Sequence, residues 1–130
     1  MSINENTRIV ARLHPGLDKK GLNIYNPYFE STGENTLYVL FHGSQLKPLL
    51  NGLIDLNIPG AIPAGFEKDP DLMSSMDSLD PIAEKVGKIG MIKQVNGKLI
   101  GHYQPGYGLA NAIKEVTTIK GKTLCIFGSG

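Results

Sequence analysis

Residues 36–41, Thr36-Leu37-Tyr38-Val39-Leu40-Phe41, decide the fold when read with residues 46–56, Leu46-Lys47-Pro48-Leu49-Leu50-Asn51-Gly52-Leu53-Ile54-Asp55-Leu56. The first stretch is β-branched and aromatic with no polar break after Thr36, the pattern of a strand buried on both faces. The second sets Leu46, Leu49, Leu50, Leu53 and Ile54 on one stripe of an amphipathic helix. A strand running into such a helix favours a parallel α/β sheet over a bundle or a sandwich.

The flanks extend the alternation. Upstream, Ile9-Val10-Ala11-Arg12-Leu13 closed by His14-Pro15-Gly16 reads as a strand entering a loop. Residues 22–32 place Leu22, Tyr25, Tyr28 and Phe29 at helical spacing, with Gly33 as the stop. Pro27 fits there in a first turn or with a tolerated kink. Downstream, residues 58–66 (IPGAIPAGF) form a short strand or an irregular turn. Asp69-Pro70 and Asp80-Pro81 each read as a helix start, aspartate capping and proline in the first turn. Residues 89–95 and 98–103, joined by Asn96-Gly97, form a hairpin. A helix over residues 106–116 follows, and then an apolar strand over residues 122–127 ending in Gly128-Ser129-Gly130. The expected fold is an open mixed, mostly parallel sheet with helices on both faces.

Composition narrows the partners. The 130 residues suffice for one domain around a single core. Thirteen basic against twelve acidic side chains give a net charge of +1, which argues against nucleic acid or an anionic membrane surface as partner. Residues 1–8 do not resemble a signal peptide, and no stretch reaches the ~20 apolar residues of a membrane span. A cytoplasmic location is the expectation. Cys125 is the sole cysteine, in the apolar run Thr123-Leu124-Cys125-Ile126-Phe127, and is expected to be a buried, inert thiol. His14, His42 and His102 show no HxxxH or HxH spacing and no cysteine nearby, so no metal site is expected.

A strand running into Gly-Ser-Gly is how a dinucleotide-binding unit begins, with glycines letting backbone approach a pyrophosphate. Gly128 and Gly130 are therefore the candidate cofactor-binding residues. A tight turn explains the same glycines about as well. The third glycine, the helix and the downstream ribose-reading residue do not follow, so the chain by itself is expected not to bind NADP.

The order of elements resembles the shikimate dehydrogenase family. Leu79-Asp80-Pro81-Ile82-Ala83-Glu84-Lys85-Val86-Gly87 resembles the family's LDPxAxxIG segment, and Asn96-Gly97-Lys98-Leu99-Ile100-Gly101 its DGxLxG hairpin. Gly106-Tyr107-Gly108-Leu109 resembles the GxGF after the family's NTD, and Gly121-Lys122-Thr123-Leu124 the opening of its cofactor domain. The resemblance implies residues 1–118 as a substrate-binding α/β domain and 119–130 as the first strand and glycines of a Rossmann domain. It also implies NADP as cofactor where that domain is present, a small cyclic carboxylic acid as ligand, and a possible homodimer.

The chemical motifs depart from the family. Its paired serines for the substrate carboxylate fall on Lys19 and Gly21. Lysine keeps a charge for a carboxylate but lacks the hydroxyl geometry. In the NVTxPxK segment the asparagine and threonine become Ile62 and Ala64, and the catalytic lysine falls on Lys68, or on Asp69 if the register is anchored at Asp80-Pro81. The later pocket asparagine is matched by Gly90 and the catalytic aspartate by Pro105. Proline cannot exchange a proton, and lost hydroxyl contacts cost roughly 0.5–1.5 kcal/mol each. Lys68 is the candidate catalytic residue, set against a solvated charged helix start. Lys19, Tyr103 and Gln104 are candidate substrate-binding residues, with strand-end packing as the other reading of the last two. His14 reads as a loop residue at the strand mouth, His42 as facing the cleft or capping the next helix, and His102 as a substitute acid or base beside the lost aspartate. Three functions compete: a dehydrogenase of this family represented by its substrate domain, an altered relative binding another ligand or a protein, and an unrelated α/β domain.

Overall fold

The computed structural model describes residues 3–128. Its elements run β1 (Arg8–His14), α1 (Leu22–Thr32), β2 (Thr36–His42), α2 (Leu46–Asp55), β3 (Gly60–Ile62), α3 (Pro70–Ser74), β4 (Ser78–Leu79), α4 (Pro81–Val86), β5 (Met91–Val95), β6 (Lys98–His102) and α5 (Pro105–Val116). The strands form one six-stranded sheet in the order β2-β1-β3-β5-β6-β4. β1 pairs in parallel with β2 and β3, β5 is antiparallel to β3 and β6, and β4 runs parallel to β6. Five strands therefore share one direction. The expected mixed, mostly parallel sheet is the one observed.

Register sorts the side chains onto two faces. Ala11, Leu13, Ala61 and Ile92 lie on the face that meets Leu46, Leu50 and Leu53 of α2 and Leu72 of α3, forming the core. Val10 pairs with Tyr38, so Tyr38 lies on the opposite face, where Tyr25 of α1 tilts against it at 4.7 Å between centroids. Helices thus cover both faces, α1 lying against β2 on its side. The two Asp-Pro starts hold: Asp69 Oδ1 accepts from Asp71 N–H at 2.9 Å, and Asp80 Oδ1 from Ile82 and Ala83 at 2.8 and 2.7 Å. The Asn96-Gly97 hairpin turn also holds, with φ of 52° and 77° at the two residues.

Several expectations need correction. β2, expected to be buried on both faces, is fully buried at Thr36 and Tyr38 and only half-buried at Leu37, Val39 and Phe41 on the other face, and it lies at the sheet edge. Pro27 lies inside α1, beyond its first turn, and α1 buries no residue fully; Tyr28 faces solvent. The short pair Ser78–Leu79 is a strand that the sequence reading passed over, because two residues carry no periodicity. Residues 122–128 form no strand, and Cys125 is exposed, as are Leu124, Ile126 and Phe127. An apolar run becomes a strand only beside a partner edge, and no strand of the sheet lies next to this one. No helix among the described residues is long and apolar enough to cross a membrane.

Candidate functional site

The parallel strands all end on one edge of the sheet, where loops are free to carry chemistry. His14 ends β1, His42 ends β2, Pro63 to Lys68 follow β3, Asp80 follows β4, and Tyr103 to Pro105 follow β6. Gly90 leads into β5 at the same edge because β5 runs the other way.

Three knots hold this edge together. The first joins β1 to the loop before α1. Arg12 Nη2 donates to Asp18 Oδ2 at 2.6 Å, with the side chains only 13% and 20% exposed. Asp18 Oδ1 accepts from Lys20 N–H at 2.9 Å. That backbone bond, followed by Arg12, holds the Asp18 carboxyl below the usual carboxylate range. Burial opposes the charge on Arg12, but the Tyr38 hydroxyl and Asp18 outweigh it and raise its pKa. His14 Nε2 stands 3.6 Å from Asp18 Oδ2, too far for a hydrogen bond.

The second knot joins β1 to the loop after β3. Gly65 adopts φ +82°, and a Cβ there would lie 2.7 Å from Pro15 Cδ and 3.0 Å from His14 Nε2. Only glycine lets the two loops touch here. His42 Nε2 lies 3.0 Å from the Pro15 carbonyl, so this histidine ties down the neighbouring loop and caps no helix.

The third knot lies at the far side. Asp80 Oδ2 accepts from His102 Nδ1 at 2.9 Å and from Tyr103 N–H at 3.3 Å, while its other oxygen caps α4. The N–H of Ala83 is the strongest of the donors that lower the Asp80 pKa. The other ring nitrogen of His102, Nε2, is buried and has no hydrogen-bond partner among the described residues.

Of the sequence candidates, Tyr103 is brought against Gly90 and Pro105: a Cβ on Gly90 would lie 3.6 Å from Pro105 Cδ and 3.8 Å from Tyr103 Cδ2. The positions read as the lost asparagine and the lost aspartate are thus spatial neighbours. Gln104 is the exposed N-cap residue of α5 and makes no side-chain cap bond. Lys19 and Lys68 stand on the β1 and β3 loops, exposed and without an ion pair among the described residues. Gly128 has φ +93° in an exposed, irregular stretch; Gly130 lies outside the described residues. No group of three His, Cys, Asp or Glu side chains among the described residues is arranged to hold a metal ion. Sequence reasoning missed Arg12 and Asp18, although a lone arginine in the apolar run Ile9 to Leu13 was a visible signal.

Fold and edge together define the class: an open, mostly parallel α/β domain with its polar groups gathered at the carboxyl ends of the strands. No family model matches the chain. It is 34% identical over 134 residues to the shikimate dehydrogenase (NADP(+)) of Methanobrevibacter smithii, covering 98% of this chain and 46% of that protein. It is 30% identical over 135 residues to the enzyme of the same name from Methanocaldococcus jannaschii, with the same coverage. A crystal structure of a shikimate dehydrogenase in complex with NADP+ superimposes with a TM-score of 0.74 at 28% identity, over 88% of this chain and 40% of the other. The chain belongs to the shikimate dehydrogenase family over the length it spans, which is about half the length of these curated relatives.

Proposed function

We propose that the chain is the substrate-binding domain of a shikimate-dehydrogenase-type oxidoreductase, taking a small cyclic carboxylic acid at the carboxyl edge of its sheet. Residues 1–118 form that domain, and 119–130 lead into a nucleotide-binding domain. The observation that supports this best is the convergence of Gly90, Tyr103 and Pro105 across the β5 and β6 ends, three positions the family resemblance assigns to one pocket. In this reading Lys19 meets the ligand carboxylate, Tyr103 and Gln104 line the ring, and Lys68 is the remaining proton-transfer group. The relatives named above are NADP enzymes, and NADP is the cofactor proposed for a chain carrying the second domain. The described residues do not themselves fit it: residues 122–128, which lead to Gly128, form no strand. A cytoplasmic location and a homodimer belong to the same reading.

A second reading rests on the same residues. Pro105 and Gly90 supply no proton acceptor and no side-chain hydrogen bond, which favours an altered relative that binds without turning over shikimate. The deciding experiment is an assay of a chain extended through the second domain for shikimate-dependent NADP reduction. Robust turnover overturns the second reading; NADP binding without turnover overturns the dehydrogenase reading in its narrow form. Titrating the 130-residue chain with shikimate by NMR tests binding alone, with shifts expected at the amides of Gly65, Gly90 and Tyr103.

A further inference from the structure

His14 has a different set of partners in each of its protonation states. Gly16 N–H points at His14 Nδ1 over 2.9 Å, and the Gly16 carbonyl lies 3.0 Å from the same nitrogen. A bare Nδ1 accepts from the N–H; a protonated Nδ1 can only donate, and the carbonyl is the acceptor within its reach. One ring nitrogen thus has two backbone partners and can serve one at a time. The arrangement in the structure, with the N–H aimed at Nδ1, is that of the neutral ring. The other nitrogen, Nε2, then carries the hydrogen and stands 3.6 Å from Asp18 Oδ2, beyond hydrogen-bond reach. A positive ring would be drawn to that carboxylate, which stays ionised because the Lys20 N–H and Arg12 hold it below the usual carboxylate range.

The ring sits where two loops of this edge touch. Gly16 and Asp18 belong to the loop after β1, which carries Lys19, while the ring packs on Gly65 in the segment after β3, which carries Lys68. A Cβ on Gly65 would lie only 3.0 Å from His14 Cδ2 and Nε2, so the ring abuts that segment with no room for even a methyl group between. The other titratable or charged groups around it are Asp18 with Arg12 behind it, His42, its register partner on β2, and Glu67 and Lys68 beyond Gly65. We propose that His14 is a proton-operated positioning residue: a proton taken from water onto Nδ1 exchanges the Gly16 N–H for the Gly16 carbonyl, draws the ring toward Asp18, and shifts the β1 loop against the β3 segment. The space between them thus has a form for each charge state of the ring. The switch needs no ligand, so it stands or fails apart from the reading of the edge as a ring-acid site.

The test is an NMR titration of the 130-residue chain from about pH 8 to about pH 5, the range in which imidazole changes charge, following the His14 ring and the backbone amides. Expected is one shared midpoint for the His14 ring and the amides of Gly16, Gly65 and Asp18, whose N–H donates to the same Gly16 carbonyl at 3.1 Å. The Gly16 amide proton should move upfield as its acceptor is lost. His14→Asn places an Oδ1 where Nδ1 stands, an acceptor for Gly16 N–H that takes up no proton in this range. It should hold the Gly16 amide near its high-pH position and abolish the shifts at Asp18 and Gly65. His14→Ala, with no acceptor, should leave the Gly16 amide near its low-pH position throughout. His42→Gln keeps a donor for the Pro15 carbonyl and should leave the titration of the three amides in place. Amides that stay still while the His14 ring titrates overturn the switch, and so do shifts that persist in His14→Asn or vanish in His42→Gln. Where a substitution unfolds the chain, the unsubstituted protein decides through the match or mismatch of its ring and amide midpoints.

Discussion

Asp80 shows how much one carboxylate can organise. It caps α4 through Ile82 and Ala83 and holds the end of β6 through His102 and Tyr103. Its capping role was legible from Asp80-Pro81, because a cap is a contact between near neighbours in sequence. The bond to His102 was not, since it spans more than twenty residues and exists only once β4 lies beside β6. The carboxyls of Asp18, Asp77 and Asp80 all sit below their ordinary values, led by backbone N–H bonds from Lys20, Leu99 and Ala83 respectively. Their contribution to stability is therefore complete above the unfolded-state carboxylate range and disappears as pH falls through the lower folded values. Urea midpoints should hold steady from neutral pH down to about pH 5 and drop below about pH 4. In Asp80→Asn the drop should be shallower and the neutral-pH midpoint lower; an unchanged acid limb would contradict the assignment. Gly101 makes a second point at this scale. A Cβ there would lie 2.7 Å from Leu79 Cδ2 and 2.8 Å from Ile89 Cδ1. Gly101→Ala should cost roughly 1–3 kcal/mol through overpacking, read as a lower denaturation midpoint.

At the scale of elements, what could be read from the chain was whatever local geometry enforces. The Asn96-Gly97 turn, the stripe of α2 and the two Asp-Pro starts all needed only a few consecutive residues. β2 was legible as a strand but its place at the sheet edge was not, because apolar content reports burial and does not report how many neighbours share the hydrogen bonds. The structure resolves the apparent conflict through Asn26. Its amide donates to the Tyr38 carbonyl at 3.0 Å and accepts from Tyr38 N–H at 2.7 Å, occupying the open edge as a short stretch of strand would. Asn26→Leu removes both bonds from half-buried backbone. It should lower stability by about 1–3 kcal/mol and raise concentration-dependent association, visible by light scattering. Equal stability and no association would refute this role.

The whole molecule is uneven in stability. The core is one-sided, with α2 pressed on Ala11, Leu13 and Ala61, so Leu53→Ala should cost about 2–5 kcal/mol in chemical denaturation. α5 has no fully buried residue, and the segment after it exposes Leu124, Ile126 and Phe127. Hydrogen exchange should be fast at residues 122–127 and slow in β1; strong protection of residues 124–127 in a monomer would contradict this. By itself the sequence determined the alternation of strands and helices, the capped helix starts, the hairpin and the family likeness, because periodicity and short-range bonds are written in adjacent residues. Only the tertiary structure decided that β2 is an edge, that residues 122–128 lack a partner, and that Arg12 meets Asp18 near His14 and Gly65. Those outcomes depend on which distant surfaces come within a few ångströms, and the chain's local preferences carry no record of that.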